Sequence, residues 1–403
     1  MIDRAEGTNL YDAEGNLYID GVSSLWCNVH GHRHPVIDAA IERQLSRMSH
    51  STLLGLTHQP AIELAERLTA IAPPGLTRVF YSDSGSSAVE IALKMAFQYW
   101  AQRGEPQRTG FICLQNAYHG DTLGAVSVGG IGQFHALYRP LLFGTLAARS
   151  GDADHLEQLL EWHSGRVAAV IVEPLVQGAA GMRLQPRGYL RQVRELCDAH
   201  DVLLICDEVA TGFGRTGRMF ACEHEDVAPD LMCLGKGITG GYLPLAATLT
   251  SERVYDGFLG AADEQRTFFH GHTYTGNALA CAVALASLGV FRDERTLERL
   301  QPKIARLAAR LAADVVPLAH VGDVRQQGTM VGIELVADRA TRTAYPPAAR
   351  VGQQVVRAAR ARGVVLRPLG NVIVLMPPLA IAPEELERLV DVARDAIREV
   401  TEA

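Results

Sequence analysis

The feature that most restricts the fold is a set of short apolar runs that do not alternate. AAVIVEP (168–174), VLLICDE (202–208) and LMCLG (231–235) stay apolar until their last positions. A strand with one solvated face would alternate with period two. These runs therefore describe strands covered on both faces, as in a largely parallel sheet clad by helices. RVFYS (78–82), FICLQ (111–115), GAVSV (124–128) and AATLT (246–250) complete a predicted set of seven. Helical patterns lie between them. Ser84-Gly85-Ser86 opens SSAVEIALKMAFQYWAQ, where Val89, Leu93, Ala96 and Trp100 recur at helical spacing. PRGYLRQVRELCDAH leads straight into VLLICDE. The predicted class is α/β.

After about residue 290 the texture changes. The amphipathic stretch RTLERLQPKIARLAARLAADV precedes strand-like GTMVGIELV, GVVLRP and VIVLMPP, and PEELERLVDVARDAIREV closes the chain as a helix. The extended start, NLYDAEGNLYIDGV with a turn at Glu14-Gly15-Asn16, is expected to join this part, because an isolated hairpin needs a sheet or helix to rest on. The expected division is 1–40 and 291–403 in a smaller α+β domain built from both chain ends, with 41–290 as the large domain.

Composition removes several classes. Of 403 residues, 48% are apolar and 21% charged, enough to bury a core and too apolar for disorder. Lys+Arg 38 against Asp+Glu 45 leaves a net charge of −7, the wrong sign for a phosphate-binding nucleic-acid partner. The seven cysteines form no C-x-x-C pair and sit largely within apolar runs, so they read as small buried hydrophobes rather than a disulfide framework, and no metal site is expected. The start MIDRAEGTNLYDAEGN lacks the pattern of a secretory signal. The longest nearly apolar stretch, ALACAVALASLGVF from Ala278, is shorter than the ~20 residues a membrane span needs. A cytoplasmic protein is expected.

Four features carry chemistry. VLLICDE brings Asp207 to the carboxyl end of an apolar strand, the edge where open α/β sheets bind ligands. LMCLGKGITGG ends a strand at Gly235 and places Lys236 among glycines, where partial desolvation would lower its pKa and free the amine. YSDSGSSAVEIA runs from a strand through a hydroxyl and glycine loop into a helix, an anion seat distinct from the nucleoside triphosphate loop. NAYHGDT (116–122) places Tyr118 after a strand, where a ring could stack on a flat ligand. Each alone also reads as ordinary: a capping acid, a surface lysine, a serine N-cap, a loop tyrosine. Together they are the parts that hold pyridoxal phosphate (PLP): a seat for its phosphate, an aromatic for its ring, a carboxylate for its pyridine nitrogen and an amine for its aldehyde.

In that order the strings resemble the class III (ω-type) aminotransferases of PLP fold type I, over nearly the whole chain. DEVATGFGRTGRMFACEH followed by PDLMCLGKGITGGYLPL carries most of the likeness. Within the class, DGVSSLWCNVHGHRHP, HSTLLG, AYHGDTLGAVSVG, VEPLVQGAAGM, HGHTYTGNALAC and LRPLGNVIVLMPP are similar to the branch of 7,8-diaminopelargonate synthases, which aminate 8-amino-7-oxononanoate for biotin. The resemblance implies that Lys236 bonds the cofactor and shuttles protons, and that Asp207 faces the pyridine nitrogen. It implies Gly85 and Ser86 at the phosphate, Tyr118 beside the ring with Asp121 close by, and Thr273 reaching the phosphate from a neighbouring subunit of a homodimer. Trp26, Tyr118, Lys236, Gly271 and Arg367 fall on the substrate side, with Arg367 receiving a carboxylate. The implied amino donor is S-adenosylmethionine, or lysine as in a branch that shares SSLW, HSTLLG and HGHTYTGN. Leu25 stands where many relatives have a second tryptophan. The N-terminus and the segment after residue 144 are shorter than in relatives. An aminotransferase acting on a diamine, ornithine or γ-aminobutyrate would share the same PLP parts.

Overall fold

The computed structural model describes residues 1–132 and 136–402. Its centre is a seven-stranded sheet in the order Leu76–Ser82, Ala246–Ser251, Leu231–Leu234, Leu203–Asp207, Val167–Val172, Gly110–Leu114, Leu146–Ala148. Ala246–Ser251 runs antiparallel to both of its neighbours, and the remaining pairs are parallel. The three central strands are buried at every position. Because successive side chains point to opposite faces, each strand feeds two cores. Val170, Val172, Leu204, Cys206, Met232 and Leu234 enter one cluster, whereas Ala169, Ile171, Leu203, Ile205, Leu231 and Cys233 enter another. That double burial is the reason the runs show no polar alternation.

The predicted helix over 86–102 forms as Gly85–Gln102. Ser84 caps it, accepting the Ser87 N–H at 3.2 Å. Its inner face packs on the sheet, and Trp100 Nε1 donates to Ala168 O at 2.8 Å. Tyr189–Ala199 also forms where the sequence placed it, and the apolar stretch from Ala278 is the helix Ala278–Asp293.

One predicted strand does not form. GAVSV lies in a short buried helix, Leu123–Ser127, and the seventh strand is Leu146–Ala148. A five-residue apolar run cannot declare its own period. Here Glu90 decides the outcome by accepting the Gly124 and Ala125 N–H groups at the helix start, at 2.7 and 3.3 Å.

The chain ends meet in smaller sheets. Ile2–Glu6, Asn9–Asp12 and Leu17–Asp20 form an antiparallel meander, extended by parallel pairing of Leu17–Asp20 with Val364–Val365. Val321–Gln327, Met330–Asp338, Val372–Leu375 and Arg367–Leu369 form a second sheet, with Thr343–Ala344 beside Met330–Asp338. GVVLRP is therefore two strands rather than the expected one, divided at Leu366 between these sheets. Thr8 and Asn9 donate to Glu385 on the last helix at 2.6 and 2.8 Å, which ties the two termini together.

Candidate active site

Three neighbouring parallel strands stop at the same edge, and each delivers a titratable residue there. Val167–Val172 is followed by Glu173, Leu203–Asp207 ends in Asp207, and Leu231–Leu234 is followed by Gly235 and Lys236. Register makes them adjacent, since Val172 pairs with Cys206 and Asp207 pairs with Cys233. A cavity of about 360 Å³ opens over this edge. Lys236, Asp207, Tyr118, Gly85, Ser86, Trp26, Arg367 and Asp121 all line it. The fold thus brings together residues that are up to 341 positions apart, as the span from Trp26 to Arg367 shows.

Asp207 is held from two sides. Its Oδ2 accepts from His119 Nδ1 at 2.7 Å and its Oδ1 accepts the Val209 N–H at 3.0 Å. His119 is buried, and its Nε2 has no hydrogen-bond partner among the described residues. Burial pulls the Lys236 amine below the usual lysine range, against the opposing pull of the Asp207 and Glu173 carboxylates. The chain has three lysines. Lys303 donates to Leu379 O at 2.9 Å and Lys94 donates to Phe269 O at 3.3 Å, so Lys236 is the lysine that reaches this cavity.

The loop after Gly110–Leu114 folds onto the start of Gly85–Gln102. Tyr118 Oη donates to Asp121 Oδ2 at 2.9 Å, and the Asp121 N–H donates to Ser86 Oγ at 3.2 Å. Burial, and then the Asp121 carboxylate, push the Tyr118 phenol up. Gly120 permits the approach. Its φ is +120°, and a Cβ there would sit 1.9 Å from Ser86 Oγ. Gly85 likewise abuts Val209, with an imagined Cβ 2.5 Å from Cγ1. Backbone is thus exposed at the start of an 18-residue helix, where its N–H groups and dipole favour an anion.

Trp26 enters the cavity lining from a turn near the start of the chain. Ser23, Ser24, Leu25 and Trp26 all have positive φ, at 52°, 57°, 136° and 67°. Such a left-handed run of side-chain-bearing residues persists only where its surroundings hold it. Ser23 Oγ donates to Met376 O at 2.6 Å and Ser24 Oγ donates to Asp20 Oδ2 at 2.7 Å. The outcome is a buried Trp26 whose ring centroid lies 5.3 Å from Lys236 Nζ, with Leu25 half exposed at the cavity rim.

Gly271 and Thr273 are not brought to Lys236 within one chain. They line a separate cavity with His50, Leu53, Leu54 and His272. Exposed Leu54, Phe269 and Tyr274 surround that region. Two titratable wall residues, His119 and Glu173, were absent from the predicted set. The signal for Glu173 was present in AAVIVEP, an apolar strand ending in an acid just as VLLICDE does.

The residues present fit pyridoxal phosphate. The helix start could accept a phosphate, Tyr118 could lie against a ring, Asp207 has lone pairs left for a pyridine N–H, and the Lys236 amine has a lowered pKa.

The family model for class III aminotransferases matches residues 1–397. The adenosylmethionine-8-amino-7-oxononanoate aminotransferase of Nitratidesulfovibrio vulgaris is 61% identical, over 100% of this chain and 78% of that protein. The enzyme of the same name from Geobacter sulfurreducens is 54% identical, over 100% of this chain and 92% of its own length. The crystal structure of the Methanocaldococcus jannaschii adenosylmethionine-8-amino-7-oxononanoate aminotransferase superposes with a TM-score of 0.97 at 48% identity, covering 99% of this chain and 93% of that one. A PLP-bound amine transaminase from an uncultivated Pseudomonas species superposes at 0.94 with 39% identity, covering 99% and 95%.

Proposed function

The chain belongs to the class III aminotransferases, and from that premise we propose that it aminates 8-amino-7-oxononanoate to 7,8-diaminononanoate, the step of that name in biotin synthesis. The enzyme is a PLP-dependent aminotransferase. The observation that carries the reading is the shared cavity: Lys236 and Asp207 at one sheet edge, with Trp26 and Arg367 lining the same space. S-adenosylmethionine is the first candidate donor, because the relatives carry it in their names, and lysine is the second.

When bound, PLP supplies an aldehyde that receives the amino group and a ring that draws electrons from the adjacent carbon. The rest falls to this chain's residues. Gly85 and Ser86 N–H groups at the helix start hold the phosphate. Asp207, steadied by His119 and Val209, keeps a proton on the pyridine nitrogen. Tyr118 flanks the ring. Lys236 would take a proton from the reacting carbon and return it two atoms along, to the carbon on the far side of the transferred nitrogen. An amine can do so near neutral pH only if its pKa is lowered, which burial does here. Trp26 and Leu25 exclude water on the substrate side, and the fork of Arg367 meets the substrate carboxylate. Arg367→Ala is expected to raise the KM for 8-amino-7-oxononanoate by about 10–100-fold with a much smaller change in kcat. Steady-state kinetics with saturating donor measure this, and an unchanged KM would remove Arg367 from the substrate site.

In this reading residues 41–290 form the PLP-binding domain and 1–40 with 291–403 the smaller one. The enzyme is a cytoplasmic homodimer, and among the described residues no helix is long and apolar enough to cross a membrane. The exposed Leu54, Phe269 and Tyr274 around Gly271 and Thr273 support a face covered by a second copy, which would carry Gly271 and Thr273 to the neighbouring subunit's phosphate. Co-refolding of Lys236→Ala with Thr273→Ala chains tests this. Shared sites predict mixed dimers with one intact site and a cofactor affinity above that of either parent mixed without refolding. Self-contained sites predict no gain.

The experiment for the reaction is an assay of the PLP-loaded protein with 8-amino-7-oxononanoate and each donor in turn, alongside a panel of other keto and aldehyde acceptors. 8-Amino-7-oxononanoate should be the best acceptor. Preference for an ornithine- or γ-aminobutyrate-derived acceptor would overturn the assignment.

A further inference from the structure

Glu173 lies on the cavity wall, is buried, and has no part in the roles assigned above. Its two oxygens are both committed. Oε2 accepts the N–H of Tyr118 and Oε1 accepts the N–H of Gly178, each at 3.0 Å. Tyr118 belongs to the loop that closes on the helix start. Gly178 belongs to the turn beneath Trp26, where an imagined Cβ would come 3.2 Å from the indole Cζ3. One carboxylate therefore joins the two aromatic walls of the cavity.

We propose that Glu173 is a positioning residue for the transamination: it fixes Tyr118 and the turn under Trp26, and its charge sets the pH range over which the Lys236 amine works. The proposal rests on the PLP reading of the cavity but not on the identity of the acceptor.

The charged surroundings of Glu173 come from three elements. His119 lies on the Tyr118 loop, Asp207 ends the adjacent strand, and Lys236 follows the next. Asp121 and Arg367 are the other charged groups on the cavity wall. Burial raises the Glu173 carboxyl to about 7, with Asp207 adding to the rise, while His119 and the two N–H donors oppose it. Both donors address oxygens, so they favour the ionised form, and desolvation resists it. As Glu173 ionises, a second negative charge joins Asp207 beside Lys236 and favours protonated nitrogen there.

The sign for stability follows from linkage. A carboxyl whose pKa is higher in the folded chain than in the unfolded chain gives stability that is present at low pH and lost as pH rises through about 7.

Glu173→Gln tests both halves. Gln is neutral at every pH and offers one acceptor for two N–H groups. In the PLP-loaded enzyme, the pH midpoint of the visible cofactor band is expected to fall by about one unit, a tenfold loss of proton affinity. In the apo protein, the melting-temperature difference between variant and wild type should change across pH 5.5 to 8.5, moving in the variant's favour as pH rises. Glu173→Asp keeps the charge and withdraws its reach. It should hold the wild-type midpoint within a few tenths of a unit while kcat falls about tenfold through loosened Tyr118. An unmoved midpoint in the Gln variant, a flat melting difference, or full turnover in the Asp variant would each overturn the proposal. If the Gln variant does not accumulate, the Asp variant's turnover decides. Failure to take up PLP at all would instead count against the cofactor reading, and the apo melting arm would still test Glu173.

Discussion

Lys236→Ala is expected to lower transamination by about 10⁴-fold or more while leaving a folded protein that binds PLP without a covalent link. In the proposed reading Lys236 combines two roles on one nitrogen, attachment and proton transfer, and neither of the other two lysines lines the cavity. The other two lysines are occupied elsewhere by the Phe269 and Leu379 carbonyls. The fold should tolerate the change. Lys236 has a φ of 42°, a cost that alanine shares because both residues carry a Cβ. Removing a desolvated cation relieves a penalty rather than creating one, and Asp207 keeps its bonds to His119 and Val209. Circular dichroism, PLP titration and turnover with 8-amino-7-oxononanoate check the three parts. Small amines added at high concentration should restore a fraction of the rate by entering the space the side chain leaves. Turnover within tenfold of wild type would refute the assignment of Lys236.

Asp207→Asn should cost about 10²–10³-fold in kcat with a smaller effect on KM. The substitution keeps shape and removes charge. An amide oxygen still accepts from His119 or Val209, but the amide NH₂ cannot hold a proton on a pyridine nitrogen, so the ring loses its pull on the reacting carbon. The loss belongs in kcat because the electron demand exists only as the reaction proceeds. Binding of PLP should weaken modestly, since the phosphate seat at Gly85 and Ser86 is untouched. Single-turnover rates with a saturating donor make the comparison. A loss of only a few-fold would mean that the ring nitrogen does not depend on Asp207.

The central sheet was legible because double burial leaves a mark on every residue of a strand. VLLICDE and LMCLG could not be solvated on either face, and their terminal residues had to emerge at one edge. The run at 124–128 lacked that clarity. Five small residues satisfy either period, and the deciding group, Glu90, lies 34 positions away in sequence. The division of GVVLRP between two sheets was hidden for a similar reason, since it depends on Ile19 and Asp20 pairing with Val364 and Val365 from the far end of the chain. In the site, Lys236, Asp207 and Tyr118 were readable from local strings. His119 carries no such signature, because its value lies in a bond to a residue 88 positions on. The left-handed turn at Ser23–Trp26 had no local sign at all. Its residues ordinarily avoid positive φ, and the carbonyl of Met376 and the carboxylate of Asp20 help hold them there.

The most direct measurement is borohydride reduction of the PLP-loaded wild type, followed by proteolysis and mass mapping of the pyridoxyl group over the three lysines. A single modified peptide carrying the label at Lys236 is expected. Label at Lys94 or Lys303, or a reduced protein without any pyridoxyl mass, would contradict it.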